Sequence, residues 1–572
     1  MDGKLPATSR PAWHATPQLN WMNDPNAWWR DADGTWHLWF QYRDDPPAYR
    51  LTHWGRLISH DALVWRDAGI AFRAERGNDV YSGCLVNTEG TVQRAYVTRN
   101  LSSAAATLGA HGLQVVEAWQ RRAPQQPWQP GAGERIDPGL RDFRDPFVFR
   151  FGAGWRMLVA EPCPWDPAVP GPAQSRLQVL RSDDGLHWQP AGYIGPWDAP
   201  RVMWEVPQML PLSALSVPLT SAAPSKWWLL IVSVLDRRAA LHSGDIDCAV
   251  RWHLGTFDGA NFEPADGART ASDADNTAGL PLAGQALDHG PDFYAACLQT
   301  PDGPDASSAA PALLAWMSHW AYARRLPFDG FAGGPMTLPR RLLWSVEAGK
   351  PGLRQQPSAP VDAALKAAQA EAPIVTLAQA LSGWPCTVAR ALQSVDIEIT
   401  LGINAASQAW LCLGEAQAPE PVLGNAAATD AGAAQGTQPP ALQLHIDSHA
   451  GCITLHRAPL AAKQQPALET TPAASSDAPS AGCSPPALIA AVAAEAGYGG
   501  AWQAAWAPAA GGKLDIRLLI DGCCAEFFID GGAIVFSALV FLPAGAVCTL
   551  TAGDGAPVQL IAARAAAVHV TP

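Results

Sequence analysis

The sequence predicts an all-β protein, with a tryptophan-rich front region of stacked small sheets and a second β region behind it. Three observations lead there. Short strand-like runs such as Trp36-His37-Leu38-Trp39-Phe40, Leu177 to Arg181 and Trp227 to Leu235 recur through the first 345 residues, separated by turns and with few sustained helical periods. The pattern Ser-x-Asp-x-x-x-Trp occurs twice, at Ser59 to Trp65 and Ser182 to Trp188. In each, the Asp is suited to bond backbone N–H groups of a turn while the Trp folds back onto a sheet, as propeller blades repeat. Finally, 21 of the 25 tryptophans precede residue 346, so the aromatic chemistry belongs to the front of the chain.

Composition narrows the function. A chain of 572 residues is too long for one ordinary core, so two unequal domains are expected. The formal charge of −13 argues against nucleic acid as a partner, since a phosphate-binding surface needs a basic excess that is absent here. The 11 cysteines include no C-x-x-C pair, which argues against zinc or a redox dithiol and fits free thiols in a reducing compartment. Met1 to Pro6 runs into polar sequence with no apolar stretch behind it, and the longest apolar runs are far short of the roughly 20 residues that span a bilayer. A cytoplasmic protein with no membrane partner is the expectation.

The chemistry centres on Trp21-Met22-Asn23-Asp24-Pro25-Asn26, with Gln41 downstream. An Asp before a proline is pushed out of helical geometry, so Asp24 is expected at a strand end. Amides that bond hydroxyls and indoles that stack on C–H faces suit a polyhydroxylated ring. Alone, the tripeptide reads as an ordinary Asx turn. Two further acids change that: Asp145 in Arg144-Asp145-Pro146, and Glu205 in Trp204-Glu205-Val206-Pro207. Each by itself reads as structural, Arg144 and Asp145 as a local ion pair. Three acids near prolines at apparent strand boundaries of one Trp-rich region can converge where equivalent strand ends meet at a propeller axis.

At this point the sequence resembles glycoside hydrolase family 32, which includes invertases, exo-inulinases and levanases. The matching stretches, in order, are Trp21 to Asn26, Phe40-Gln41-Tyr42, His53-Trp54-Gly55, Tyr81-Ser82-Gly83, Arg144-Asp145-Pro146, Trp204 to Pro207, Asp292-Phe293-Tyr294-Ala295, Trp316 to Trp320 and Pro335 to Arg340. The resemblance implies a five-bladed β-propeller followed by a β-sandwich, with no cofactor and no metal. It implies Asp24 as nucleophile, Glu205 as general acid/base and Asp145 as the carboxylate that holds ring hydroxyls. Asn23, Gln41, Tyr49, Trp54, Ser82, Arg144, Asp292, Tyr294 and Trp320 are implied as substrate-binding residues. A retaining glycosidase needs two carboxyl groups about 5–5.5 Å apart, one ionised to attack and one protonated to release the leaving oxygen. Trp204 and the charge of Asp24 would both favour the proton on Glu205. The chain departs from the family at Ala27 for the usual Gly, Val206 for Cys, Cys84 for Ser and Tyr49 for a pocket Trp, which bears on substrate preference.

The expected domains are 1–346 for the propeller, 347–385 for a connector containing a helix near Val361 to Ala372, and 386–572 for the sandwich. Strands are expected at Val395 to Leu401, Leu442 to Ile446, Ile516 to Ile520, Ala525 to Ile529 and Ala533 to Phe536. Ala- and Pro-rich stretches at Glu415 to Pro440 and Pro459 to Pro486 read as long insertions, and neither Glu526 nor Cys523-Cys524 carries a catalytic signal. The expected activity is release of terminal β-D-fructofuranosyl units from sucrose or short fructans. The alternatives are an exo-levanase or exo-inulinase, a fructosyltransferase, a propeller enzyme acting on arabinose-containing chains, and a binding propeller without catalysis.

Overall fold

The computed structural model describes residues 10–569, apart from 102–111, 164–173, 216–225, 238–246, 266–282, 302–310, 370–378, 416–439, 461–497 and shorter stretches between elements. Tyr49 and most of the two expected insertions therefore lie outside the described residues.

The front lobe contains, among the described residues, five sheets, each built on a four-stranded antiparallel meander whose order follows the sequence, with one further short strand on the first and one on the fourth. Their first strands are Asn20–Arg30, Asn78–Asn87, Arg144–Phe151, Val202–Pro211 and Tyr294–Leu298. Each first strand packs against the next, and Tyr294–Leu298 packs back against Asn20–Arg30, so the five form a closed ring. Phe331–Ala332 also pairs in parallel with Asn20 and Trp21. The first strand Asn20–Arg30 is buried along almost its whole length, polar residues included, whereas rim strands such as Arg66–Phe72 and Gln189–Ile194 are exposed or partly exposed along most of theirs.

Sheets radiating from an axis diverge, and large side chains fill the widening gaps. Trp29, Trp39, Trp54 and Phe72 of the first sheet meet Val80, Leu85 and Val97 of the second. Leu158 and Leu177 of the third meet Leu230 and Val232 of the fourth, and Trp316 of the fifth returns to Trp21 and Trp28. Such indoles each bury about 150–250 Å², which explains why tryptophan concentrates in the front lobe. The Ser-x-Asp turns fall at the same place in two sheets. The Asp61 carboxylate accepts from the N–H groups of Leu63 and Val64 at 2.9 and 2.8 Å, and that of Asp184 from Leu186 and His187 at 2.8 and 2.9 Å.

The expected connector begins too early. Lys350–Pro357 is a strand that pairs along its whole length with Arg340–Glu347 and so completes the fifth sheet. A helix, Ala359–Ala368, follows, and Gln379–Ala380 already pairs with Gln559–Ala567 of the second lobe. Pro351 and Pro357 mislead because proline is tolerated on an edge strand.

The second lobe is two six-stranded sheets enclosing an apolar core that includes Ile397, Leu411, Leu444, Leu455, Leu518, Phe527 and Phe536. Among the described residues, no helix is long and apolar enough to cross a membrane.

Charged groups buried between the lobes join them. Arg340 Nε donates to Glu526 at 2.8 Å and Nη1 to Asp288 at 2.8 Å, and the guanidinium also bonds Ser537 and Gln355. His14 lies between Asp521 and Glu526, at 2.9 Å from each. Burial alone would discharge His14, but these two carboxylates outweigh it and raise its pKa to about 9. Replacing Arg340 by Met is expected to cost about 3–5 kcal/mol, because buried Asp288 loses its counter-charge and Glu526 is left with the charge of His14 alone. Chemical denaturation of the variant beside wild type measures it, and a loss below about 1 kcal/mol would show that the cluster does not hold the lobes.

Candidate active site

At one level of the ring, every first strand bulges relative to its partner, by one extra residue in four sheets and by two in the first, where a second falls between Pro25 and Ala27. The extra residue falls between Met22 and Pro25 in the first sheet, at Ser82 in the second, and across Asp145-Pro146 in the third. In the fourth and fifth sheets it falls across Val206-Pro207 and Ala295-Ala296. Such a bulge bends the strand and re-aims its side chains, and it accommodates a proline that cannot donate to the ladder. The prolines near the acids therefore mark bulges inside strands, and the expectation that Asp24 sits at a strand end is corrected. Three bulges force positive φ on residues with a Cβ: Asp145 at 61°, Val206 at 46° and Ala295 at 52°. These conformations cost about 1–3 kcal/mol each and persist only where the surroundings fix them.

The bulges bring the three acids together. Asp24 Oδ1 accepts from the Asn23 amide at 2.9 Å, and Oδ2 accepts from Gln41 Nε2 at 3.2 Å and the Ser82 hydroxyl at 3.1 Å. Asn23 also donates to Gln41 Oε1 at 3.0 Å and accepts from the Trp21 indole at 2.7 Å. Burial raises the pKa of Asp24, and the nearby charge of Glu205 adds to that, while the Asn23 and Ser82 hydrogen bonds oppose it. Glu205 is held differently. Arg144 Nη2 donates to its Oε1 at 2.9 Å and the Tyr294 hydroxyl to its Oε2 at 2.5 Å. The third acid, Asp145, accepts from the Val206 backbone N–H at 3.0 Å, which ties the third bulge to the fourth. Its own N–H donates to Thr98 Oγ1 at 3.0 Å. Burial raises its pKa to about 7, aided by Glu205 and opposed by Arg144.

Nine of the twelve expected residues lie in this network or beside it. Trp320 is half-buried and stacks on Trp21 with ring centroids 6.2 Å apart. Tyr49 lies outside the described residues, and two expectations are corrected. Trp54 is 0% exposed, wedged against Trp39 and Phe72 with its N–H on the Tyr81 carbonyl, so it supports the site from below and offers no face to a ligand. Asp292 is also 0% exposed, and Tyr322, Arg457 and the Leu539 N–H occupy its carboxylate. It anchors the second lobe and has no room for a sugar hydroxyl.

Sequence reasoning missed three supports. Asp142 accepts from Arg144 Nη1 at 2.6 Å, Gln114 accepts from the Phe143 N–H at 3.1 Å, and Thr98 caps the Asp145 bulge. Asp142 was within reach as a second acid flanking Arg144. Gln114 and Thr98 sit on neighbouring strands, where no local pattern marks them. Among the described residues, no group of three or more His, Cys, Asp or Glu is placed to hold a metal ion.

The axis of this ring of sheets thus brings together three acids, one backed by amides and a hydroxyl and another by a guanidinium and a phenol. The chain matches the glycosyl hydrolases family 32 N-terminal domain over residues 14–357 and the family's C-terminal domain over residues 486–561. It belongs to glycosyl hydrolase family 32. An extracellular exo-inulinase from Aspergillus awamori is 28% identical over 61% of this chain and 64% of its own length. A levanase from Bacillus subtilis is 27% identical over 58% of this chain and 44% of its own length. The chain thus spans less than two thirds of these relatives. A crystal structure of an exo-inulinase from Aspergillus awamori shares the fold, with TM-score 0.69 and 20% identity over 100% of this chain and 99% of that one.

The proton affinity of Asp145 makes stability depend on pH. Its pKa is raised from the ordinary 3.8 to about 7, so in that window the unfolded chain releases a proton that the folded chain keeps, and stability falls as pH rises. Asp145→Asn keeps an acceptor for the Val206 N–H and abolishes this contribution. Denaturation midpoints between about pH 4 and 7 are expected to fall more for wild type than for the variant. Parallel curves would refute the raised pKa.

Proposed function

We propose that this protein is a retaining β-fructofuranosidase that removes terminal non-reducing fructosyl units from sucrose or short fructans. The observation that carries the reading is that Asp24 and Glu205 lie close enough for their charges to interact and have opposite kinds of support. Three side-chain hydrogen bonds orient Asp24 as a carboxylate, and Arg144 and Tyr294 fix Glu205 across from it. Asp24 attacks C2 of the fructosyl ring while Glu205 gives its proton to the leaving oxygen. Glu205 then takes a proton from water, whose oxygen displaces Asp24 and frees fructose. Asp145 accepts from ring hydroxyls, and Asn23, Gln41 and Ser82 bond others as they orient the nucleophile. The names of the exo-inulinase and levanase relatives support a fructan or related fructoside as substrate.

On the same reading the closed ring is a five-bladed β-propeller and the two facing six-stranded sheets are a β-sandwich. Support comes from the five first strands in mutual contact and from the separate apolar wedges between sheets.

Free fructose and glucose released from sucrose, 1-kestose, inulin and levan test the activity, with Asp24→Ala and Glu205→Ala beside wild type. Losing either group is expected to lower kcat by roughly 10⁴–10⁶-fold in a folded protein. Folded wild type that releases no fructose from any of the four would overturn the reading. Fructosylated products in place of free fructose would assign transfer.

A further inference from the structure

The second lobe reaches the acid/base carboxyl through a short chain of contacts. Arg457, at the end of strand Cys452–Arg457, is 3% exposed and every side of its guanidinium is engaged. Its Nε donates to the Tyr498 carbonyl at 2.9 Å, Nη1 to the Leu539 carbonyl at 3.1 Å and to Asp292, and Nη2 to the Tyr322 hydroxyl at 2.8 Å. Tyr498 and Trp502 lie over its face, with centroids 3.7 and 5.0 Å away. The recipient, Asp292, is fixed as well. Its backbone N–H donates to the Ser537 carbonyl at 3.1 Å, and the His289 N–H to the Val535 carbonyl at 2.8 Å. Between them Gly290 runs so close to Ser537 that a Cβ there would lie 2.2 Å from the carbonyl oxygen.

Two residues beyond Asp292 comes Tyr294, whose hydroxyl holds Glu205, and then Ala295 with its positive φ. A strained bulge keeps its shape only if both ends are held. Tyr294 is tied at one end by the bulge and at the other by Asp292. The carboxylate of Asp292, left without Arg457, would be a buried charge with no cation, and its segment would have to shift to solvate it. The same guanidinium reaches Tyr322, which stacks on His319 at 5.1 Å, next to Trp320.

We propose that Arg457 is a positioning residue for the reaction: from the second lobe it fixes Asp292, hence Tyr294, hence the carboxyl of Glu205. The inference rests on Glu205 acting in catalysis, as argued above. The other groups that face Glu205 are Arg144, Asp24 and Asp145, and Arg457 touches none of them.

The test is a double-substitution cycle with Tyr294→Phe, Arg457→Met and the pair, read as kcat and the pH profile of kcat/KM for fructose release from sucrose. Tyr294→Phe removes a hydrogen bond to a carboxyl and is expected to lower kcat roughly tenfold and displace one limb of the profile. Arg457→Met is expected to lower kcat similarly and displace the same limb in the same direction, and the pair to do no more than either alone. Additive effects, or a folded Arg457→Met with an unchanged profile and only a lower melting temperature, would overturn the proposal. Should Arg457→Met fail to fold, Tyr322→Phe takes its place in the cycle and is judged the same way. NMR of ring-labelled tyrosine gives a readout independent of turnover. The Tyr294 signal, assigned by its loss in Tyr294→Phe, is expected to shift in the Arg457 or Tyr322 variant, and a stationary signal would refute the coupling even if wild type released no fructose.

Discussion

The site depends on one constraint: acids drawn to a common axis must be buried near one another without charge balance from solvent. Isolated burial of a carboxylate costs several kcal/mol, and mutual repulsion adds to that. The ring answers with a bulge on each first strand, beside the acid, hydroxyl or phenol that the strand carries. The Val206 N–H on Asp145 shows the economy of this, since the distortion that aims Glu205 also supplies a donor to its neighbour. Arg144 completes the arrangement by lying between Asp142 and Glu205 with Asp145 close by. Burial raises the pKa of both Asp24 and Asp145 in these shared surroundings.

The second lobe meets this ring through buried ions as well as through apolar contacts. Arg340, His14 and Arg457 face Glu526, Asp288, Asp521 and Asp292 where no solvent enters. Such pairs add little net stability over apolar packing but tolerate only one relative placement of the lobes, because any slip strands a charge. A joint of this kind suits a lobe that must hold a strand of the catalytic ring at a fixed height.

Much of this was legible in the sequence. The three acids, Asn23, Gln41, Ser82, Arg144 and Tyr294 are recognisable because each lies in a short motif beside a proline, glycine or aromatic residue. What failed did so for physical reasons. Proline forbids one ladder hydrogen bond, and a bulge satisfies that as well as a terminus does, so Pro25 reads as an end when it is an interior bend. An indole in a motif does not reveal which face of its strand is covered, and for Trp54 sheet packing decides. Asp292 looks like a ligand-binding acid because its partner, Arg457, lies 165 residues away in a stretch without pattern. Lys350–Pro357 reads as linker because its prolines lie on an edge.

The start of the chain carries a last consequence. The backbone N–H groups of Ala12, Trp13 and His14 all donate to the carboxylate of Asp521, at 2.7, 2.7 and 2.9 Å, more than 500 positions along. Made well before Asp521, these residues cannot reach their native partner until more than 500 further residues have been added. The closing contact Phe331–Ala332 on Asn20-Trp21 likewise waits for the fifth sheet. Chain elongation at about 5–20 residues per second therefore leaves this indole-rich segment without its native partner for roughly half a minute or longer, the interval in which a holdase chaperone has most to protect.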